Sequence, residues 1–167
     1  MSYRTAVIVL SDRAASGVYE DRCLPVVREL LGAPFVIERE RILSDDVAPL
    51  QAELIDLCDR DRFDLILTSG GTGLSPRDRT PQATAAIIDY EVPGLGEAMR
   101  AASAVIVKTA LLSRAIAGVR GSTLIINLPG SPKAVRENLS VVLPVLAHAL
   151  DHLSDTMATQ QAHEAPT

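Results

Sequence analysis

The chain has 167 residues and a formal net charge of -5, with 16 Lys and Arg against 21 Asp and Glu. That balance excludes a protein whose main task is gripping a nucleic-acid backbone, because such affinity comes from many cations neutralising phosphates. Hydrophobic residues make up 47% and charged residues 22%, the range of a folded chain with one core, and apolar runs such as Ala83 to Ile88 and Val141 to Leu150 fall short of a membrane span.

In chain order, the first element is "TAVIVLS", Thr5 to Ser11, a continuous apolar and β-branched run of the kind that forms a strand buried on both faces. Leu24 to Leu31 has helical spacing. "FVIERERIL", Phe35 to Leu43, alternates less cleanly and predicts a peripheral strand. Val47 to Cys58, with Val47, Leu50, Leu54, Ile55 and Leu57 apolar, predicts a second helix. "DLILTS" is a second interior strand, and Pro81 to Tyr90 reads as a helix.

Pro93 to Gly121 shows no strand signal and predicts two short helices with glycine-rich joints. "STLIINLPG" is the third interior strand. Pro132 to Leu153 reads as a helix with Ser131 as N-cap and Pro132 in first position, and Pro144 is expected to kink or restart it. The segment 154–167 has little apolar periodicity and is expected to be a flexible tail behind one domain, 1–153. Strands alternating with helices predict a three-layer α/β fold, a mainly parallel sheet with helices on both faces.

Ligands of such sheets bind beyond the carboxyl ends of the strands. Three loops there stand out: "SDRAASGVYEDR", "TSGGTGLSPRDRTP" and "NLPGSPK". In the second, Gly70, Gly71 and Gly73 permit either a tight strand-to-helix turn or close backbone approach to phosphate oxygens. The only two lysines, Lys108 and Lys133, do not follow a glycine, which excludes a phosphate loop of the G-x-x-x-x-G-K-[ST] kind. Asp78 is either a solvated charge or a metal ligand. Asp45 and Asp46 are either helix caps or partners of Asp78 on one divalent cation. Hard oxygen donors beside phosphates point to Mg²⁺. Cys23 and Cys58 have no metal-like spacing and read as buried thiols, and nothing resembling a signal peptide begins the chain, the pattern of a cytoplasmic protein. His148 and His152, four apart, read as surface or packing residues.

Taken together, "SDRAASGVYEDR", "TSGGTGLSPRDRTPQAT", "PGLGEAMR", "LLSR" and "IINLPGSPK" resemble the MogA family of molybdopterin adenylyltransferases, which includes the G domain of gephyrin. The resemblance implies a homotrimer that uses Mg²⁺ and ATP to adenylylate molybdopterin, releases pyrophosphate, and hands the product to a molybdenum-insertion protein. It also admits a MoaB-type protein that binds and carries molybdopterin without chemistry. By the same resemblance Asp45 and Asp78 are the catalytic, Mg²⁺-holding pair, and Ser69, Gly70, Gly71, Thr72 and Gly73 cradle the nucleotide phosphates. Ser11 and Asp12 belong to the first loop of the site, Ser113, Asn127, Gly130, Ser131 and Lys133 line the nucleotide and pterin pocket, and Glu97 lies in a shared block. Arg13, Arg77, Arg79, Arg114 and Lys133 are expected to converge on one cleft.

Overall fold

The computed structural model describes residues 2–164, with side chains described through residue 154. Six strands form one sheet: β1 (Tyr3–Leu10), β2 (Phe35–Leu43), β3 (Leu65–Ser69), β4 (Tyr90–Glu91), β5 (Ala117–Arg120) and β6 (Thr123–Leu128), in the order β2-β1-β3-β6-β5-β4. β2, β1, β3 and β6 run parallel, and β5 is antiparallel to both β6 and β4.

Period-two alternation explains why the interior strands read as unbroken apolar runs. Val7, Val9, Leu65, Leu67, Leu124 and Ile126 enter the core on one face of the sheet, while Ala6, Ile8, Ile66 and Ile125 enter the core on the other. Both faces are covered, so neither phase of the pattern can be polar. Each fully buried Ile or Leu contributes roughly 1.5–3 kcal/mol of transfer free energy.

The first face is covered by α2 (Cys23–Leu30), α5 (Pro93–Ile106) and α6 (Pro132–Glu164), the second by α3 (Val47–Ile55) and α4 (Thr80–Ala85); α1 (Asp12–Ala15) is a single turn after β1. The chain is thus the three-layer α/β arrangement that the alternation of elements predicts. Among the described residues no helix is long and apolar enough to cross a membrane.

Three expectations need correction. The stretch expected to be helical from Pro81 to Tyr90 is helical only to Ala85, and Tyr90–Glu91 is a strand. The region expected to lack strands contains β5, whose four residues "AGVR" carry too little apolar signal to be seen locally; partners on both sides make it a strand. Of the kink or restart expected at Pro144 the restart does not occur, since the last helix runs continuously through it. The Pro144 ring and Ser140, whose carbonyl loses its i+4 donor, are both exposed, so water can satisfy that carbonyl. Val135, Leu139, Val142, Leu146 and Leu150 meanwhile keep the buried stripe unbroken. Ser131 caps this helix by accepting from the Ala134 N–H at 3.3 Å. Of the expected tail, the backbone to Glu164 continues α6; side chains from 155 onward and residues 165–167 lie outside the described residues.

Candidate functional site

The loops after β1, β2 and β3 meet through an ion-pair network. The Asp12 N–H donates to Asp45 Oδ2 and the Asp45 N–H donates to Asp12 Oδ1, both at 3.0 Å. Arg77 grips Asp12 with Nε at 3.0 Å and Nη2 at 2.7 Å, and reaches Asp46 with Nη1 at 2.9 Å. Asp46 stands at the start of α3 without capping it; its carboxylate accepts instead from the Ser44 hydroxyl and Arg77.

These contacts separate the acids electrostatically. The Arg77 guanidinium, helped by the Asp45 N–H, holds the Asp12 carboxyl below its ordinary range. The Ser44 hydroxyl and Arg77 do the same for Asp46. Asp45 moves the other way: burial pushes it up against the Asp12 N–H, and the negative charges of Asp12 and Asp78 add to the rise.

The glycine loop is shaped by protein contacts first. Gly70 has φ +107 and a Cβ there would lie 2.3 Å from the Leu10 carbonyl oxygen; Gly71 has φ +64 and a Cβ there would lie 2.3 Å from Thr80 Oγ1. Both positions therefore exclude side chains because backbone and the start of α4 press against them. The Gly70 and Thr80 N–H groups are already engaged by Leu128 and Gly71 carbonyls. Arg114 clamps the outer part of the loop, donating to the Gly73 carbonyl at 2.8 Å and to the Asp78 carbonyl. Asp78 Oδ2 accepts from the Ser75 N–H at 2.9 Å.

This loop is the wall between two clefts. The first, about 240 Å³, holds Ser11, Asp45, Ser69, Gly70, Gly71, Asp78 and Gly130. The second, about 310 Å³, holds Thr72, Gly73, Ser113 and Ser131. The two acids expected to act together thus face one cleft. Asp12 lies beside it, joined to Asp45.

Asn127, Glu97 and Lys133 line neither cleft. Asn127 is fully buried, donating through Nδ2 to Thr68 Oγ1 and Thr84 Oγ1 at 3.0 Å each, which ties β6 to β3 and α4. Glu97 is exposed on α5. Lys133 is exposed and lies 3.8 Å from Glu137.

The expected convergence of cations takes another form. Arg77 and Arg114 bind the loops rather than line a cleft, Arg13 stacks on Tyr19 with 5.3 Å to the ring centroid, and the basic residues lining the clefts are Arg22 in the first and Arg100 in the second. Sequence reasoning also passed over Asp21, Tyr19 and Cys23 in the first cleft and Asn138 and Glu137 in the second. Glu137 and Asn138 follow Ala134 by one helical turn, a spacing that marks a shared face once Ser131 is placed at the site. Asp21 caps α2 by accepting from the Cys23 and Leu24 N–H groups at 3.1 and 2.8 Å, and burial pushes the Cys23 thiol up, so it stays neutral.

Among the described residues no group of three or more His, Cys, Asp and Glu is arranged to hold a metal. Asp45 and Asp78 nonetheless suit Mg²⁺ completed by phosphate oxygens, since it takes one or two carboxylates alongside such ligands. The mutual repulsion that helps raise Asp45 is the repulsion a divalent cation relieves.

A family model described as "Probable molybdopterin binding domain" matches residues 6–148. A molybdopterin adenylyltransferase of Helicobacter pylori is 43% identical over 148 residues, covering 87% of this chain and 84% of that protein. The Escherichia coli molybdopterin adenylyltransferase is 42% identical over 153 residues, covering 89% and 78%. The crystal structure of the molybdopterin biosynthesis enzyme MoaB from Thermus thermophilus superposes with a TM-score of 0.86 at 47% identity, covering 92% of this chain and 97% of that one.

Proposed function

Because the chain belongs to the molybdopterin-binding domain family, we propose that it is a molybdopterin adenylyltransferase acting in molybdenum cofactor biosynthesis, with Mg²⁺ and ATP. One observation carries the reading: a single glycine loop separates an acid-bearing polar cleft from a second, more apolar one, and Asp45 and Asp78 both face the first. A nucleotidyl transfer between two bulky substrates calls for adjoining pockets that share a phosphate-handling wall.

In the proposed reaction an oxygen of the terminal phosphate of molybdopterin forms a bond to the α-phosphorus of ATP. The bond from that phosphorus to the bridging oxygen breaks, and pyrophosphate leaves with the electron pair. This chemistry asks the protein for positioning and charge stabilisation, so no nucleophilic side chain is needed. Mg²⁺, held by Asp45 and Asp78, supplies neutralisation of phosphate charge when bound. The Asp12 N–H orients Asp45, and the Ser75 N–H orients Asp78. The start of α6, whose Gly130 and Pro132 reach the first cleft and Ser131 the second, presents the positive end of a helix dipole to both.

The assembly we propose is a homotrimer in the cytoplasm, from which product passes to a molybdenum-insertion protein. The exposed apolar residues Val105, Ile106 and Leu111, at the end of α5 and in the following 3₁₀ turn and outside the lining of both clefts, support self-association as surface that copies would cover.

Incubating the protein with molybdopterin, ATP and Mg²⁺ and following the products by mass spectrometry tests the reaction. Adenylylated molybdopterin with stoichiometric pyrophosphate is expected. Tight molybdopterin binding without product would replace the transferase with a carrier.

A further inference from the structure

The carboxylates lining the two clefts differ in how far their acceptor capacity is used. Asp21, Asp45 and Asp78 in the first cleft each accept from a backbone N–H. Glu137 in the second engages no hydrogen-bond donor among the described residues; its sole tie is the ion pair with Lys133 at 3.8 Å. The Glu137 side chain is only 19% exposed whereas that of Lys133 is 80% exposed, so the lysine reaches in from solvent and does not fill the cleft. A carboxylate that is mostly covered by protein yet keeps its acceptor sites open to the cleft is placed to receive the donors of a ligand.

The surroundings of Glu137 describe what that ligand is. The cleft of about 310 Å³ is walled by Val107, Ala110, Leu112, Pro129 and Ala134, which suit the faces of a flat ring system. Arg100 lies at the same wall with Nη1 held by the Ala115 carbonyl at 2.7 Å. A pterin carries, on its 2-amino-4-oxo edge, two adjacent donors, N3–H and the 2-amino group. The two oxygens of one carboxylate match that donor pair in parallel, the fork geometry that also makes guanidinium pairs strong. Adenine has no such edge, since its N1 accepts where the neighbouring 6-amino group donates.

We infer that Glu137 is the residue that selects the pterin, accepting from N3–H and the 2-amino group of the substrate in the second cleft, which leaves the first cleft to the reacting phosphates and the metal. The inference rests on the molybdopterin reading above.

The test compares wild type with Glu137→Gln, a change of one atom that replaces an acceptor with a donor and keeps the shape. The KM for molybdopterin is expected to rise about tenfold or more, as befits loss of a charged hydrogen-bond pair, while kcat and the KM for ATP stay within about twofold. The decisive readout needs no turnover: displacement of bound molybdopterin by 6-hydroxymethylpterin against 6-hydroxymethyllumazine, in which an oxo group replaces the 2-amino group. Wild type is expected to prefer the pterin, and Glu137→Gln, whose amide complements N3–H and the 2-oxo group, to prefer the lumazine. The same preference in both proteins, no displacement of molybdopterin from wild type by the pterin, or an unchanged KM for molybdopterin would overturn the assignment. A reversed preference in a protein that forms no adenylylated product would uphold it and remove the transferase reading instead.

Discussion

Asp12 and Asp45 bind each other backbone to side chain in both directions, at 3.0 Å each way, across 33 positions of sequence. The pair fuses the loops after β1 and β2 into one rim, and Arg77 brings the loop after β3 to it. Asp45 is thereby fixed at the edge of the first cleft by a neighbour whose own carboxylate is tied to Arg77, and it shares that cleft with Asp78.

Replacing Asp45 with Asn keeps this outline while removing the charge. Turnover is expected to fall by about 100-fold or more, the scale seen when one electrostatic contributor to a charged transition state is lost. The melting temperature should shift by no more than about 3 °C because the rim is solvated. Steady-state kinetics and thermal melts on the same preparation decide it, and a retained rate would remove Asp45 from the reaction.

Gly71 is expected to tolerate no side chain. Gly71→Ala places a Cβ 2.3 Å from Thr80 Oγ1 at a φ of +64, a strained conformation costing about 1–3 kcal/mol. Chemical denaturation should report that loss, and molybdopterin binding should weaken with it because the same loop walls both clefts.

Asn127→Ala should act on stability and far less on catalysis. The change leaves the hydroxyls of Thr68 and Thr84, both fully buried, without the Nδ2 donor that joins them, at a cost of about 1–3 kcal/mol. A melting temperature lowered by several degrees with kcat and both KM values near wild type is the expected result. A selective rise in KM would return Asn127 to the binding site.

At the opposite end of the sheet Tyr3 holds α6, its single hydroxyl proton going to Asp151 Oδ1 at 2.6 Å and shared with the Ala147 carbonyl at 3.1 Å. The bond to Asp151, with burial, pushes the Tyr3 phenol up to about 12. Since the folded value lies above the unfolded one of about 10, this contribution is fully present below pH 10 and is lost as pH rises through the folded value. Ultraviolet titration should show one phenol ionising near pH 12, absent in Tyr3→Phe. Its absence from wild type would mean that Tyr3 does not hold that bond in solution.

Much of the fold was legible because its signals are local. "TAVIVLS", "DLILTS" and "STLIINLPG" read as interior strands since a strand covered on both faces must be apolar at every position, and Ser131-Pro132 announced the last helix through capping chemistry alone. β5 escaped because "AGVR" is a strand only by virtue of β6 and β4 on either side of it.

The site divides along the same line. Sequence by itself determined the family to which the motifs belong and singled out the loops beyond the strand ends with their acids Asp45 and Asp78, because these are properties of residue type and spacing. Only the tertiary structure decided that Gly70 and Gly71 yield first to Leu10 and Thr80, that Asn127 braces the core, that Arg77 joins two acids, and that Glu137 faces a cleft with its acceptors open. Each of these depends on which remote groups a side chain meets, and contact between residues dozens of positions apart leaves no mark in the local pattern of a single chain.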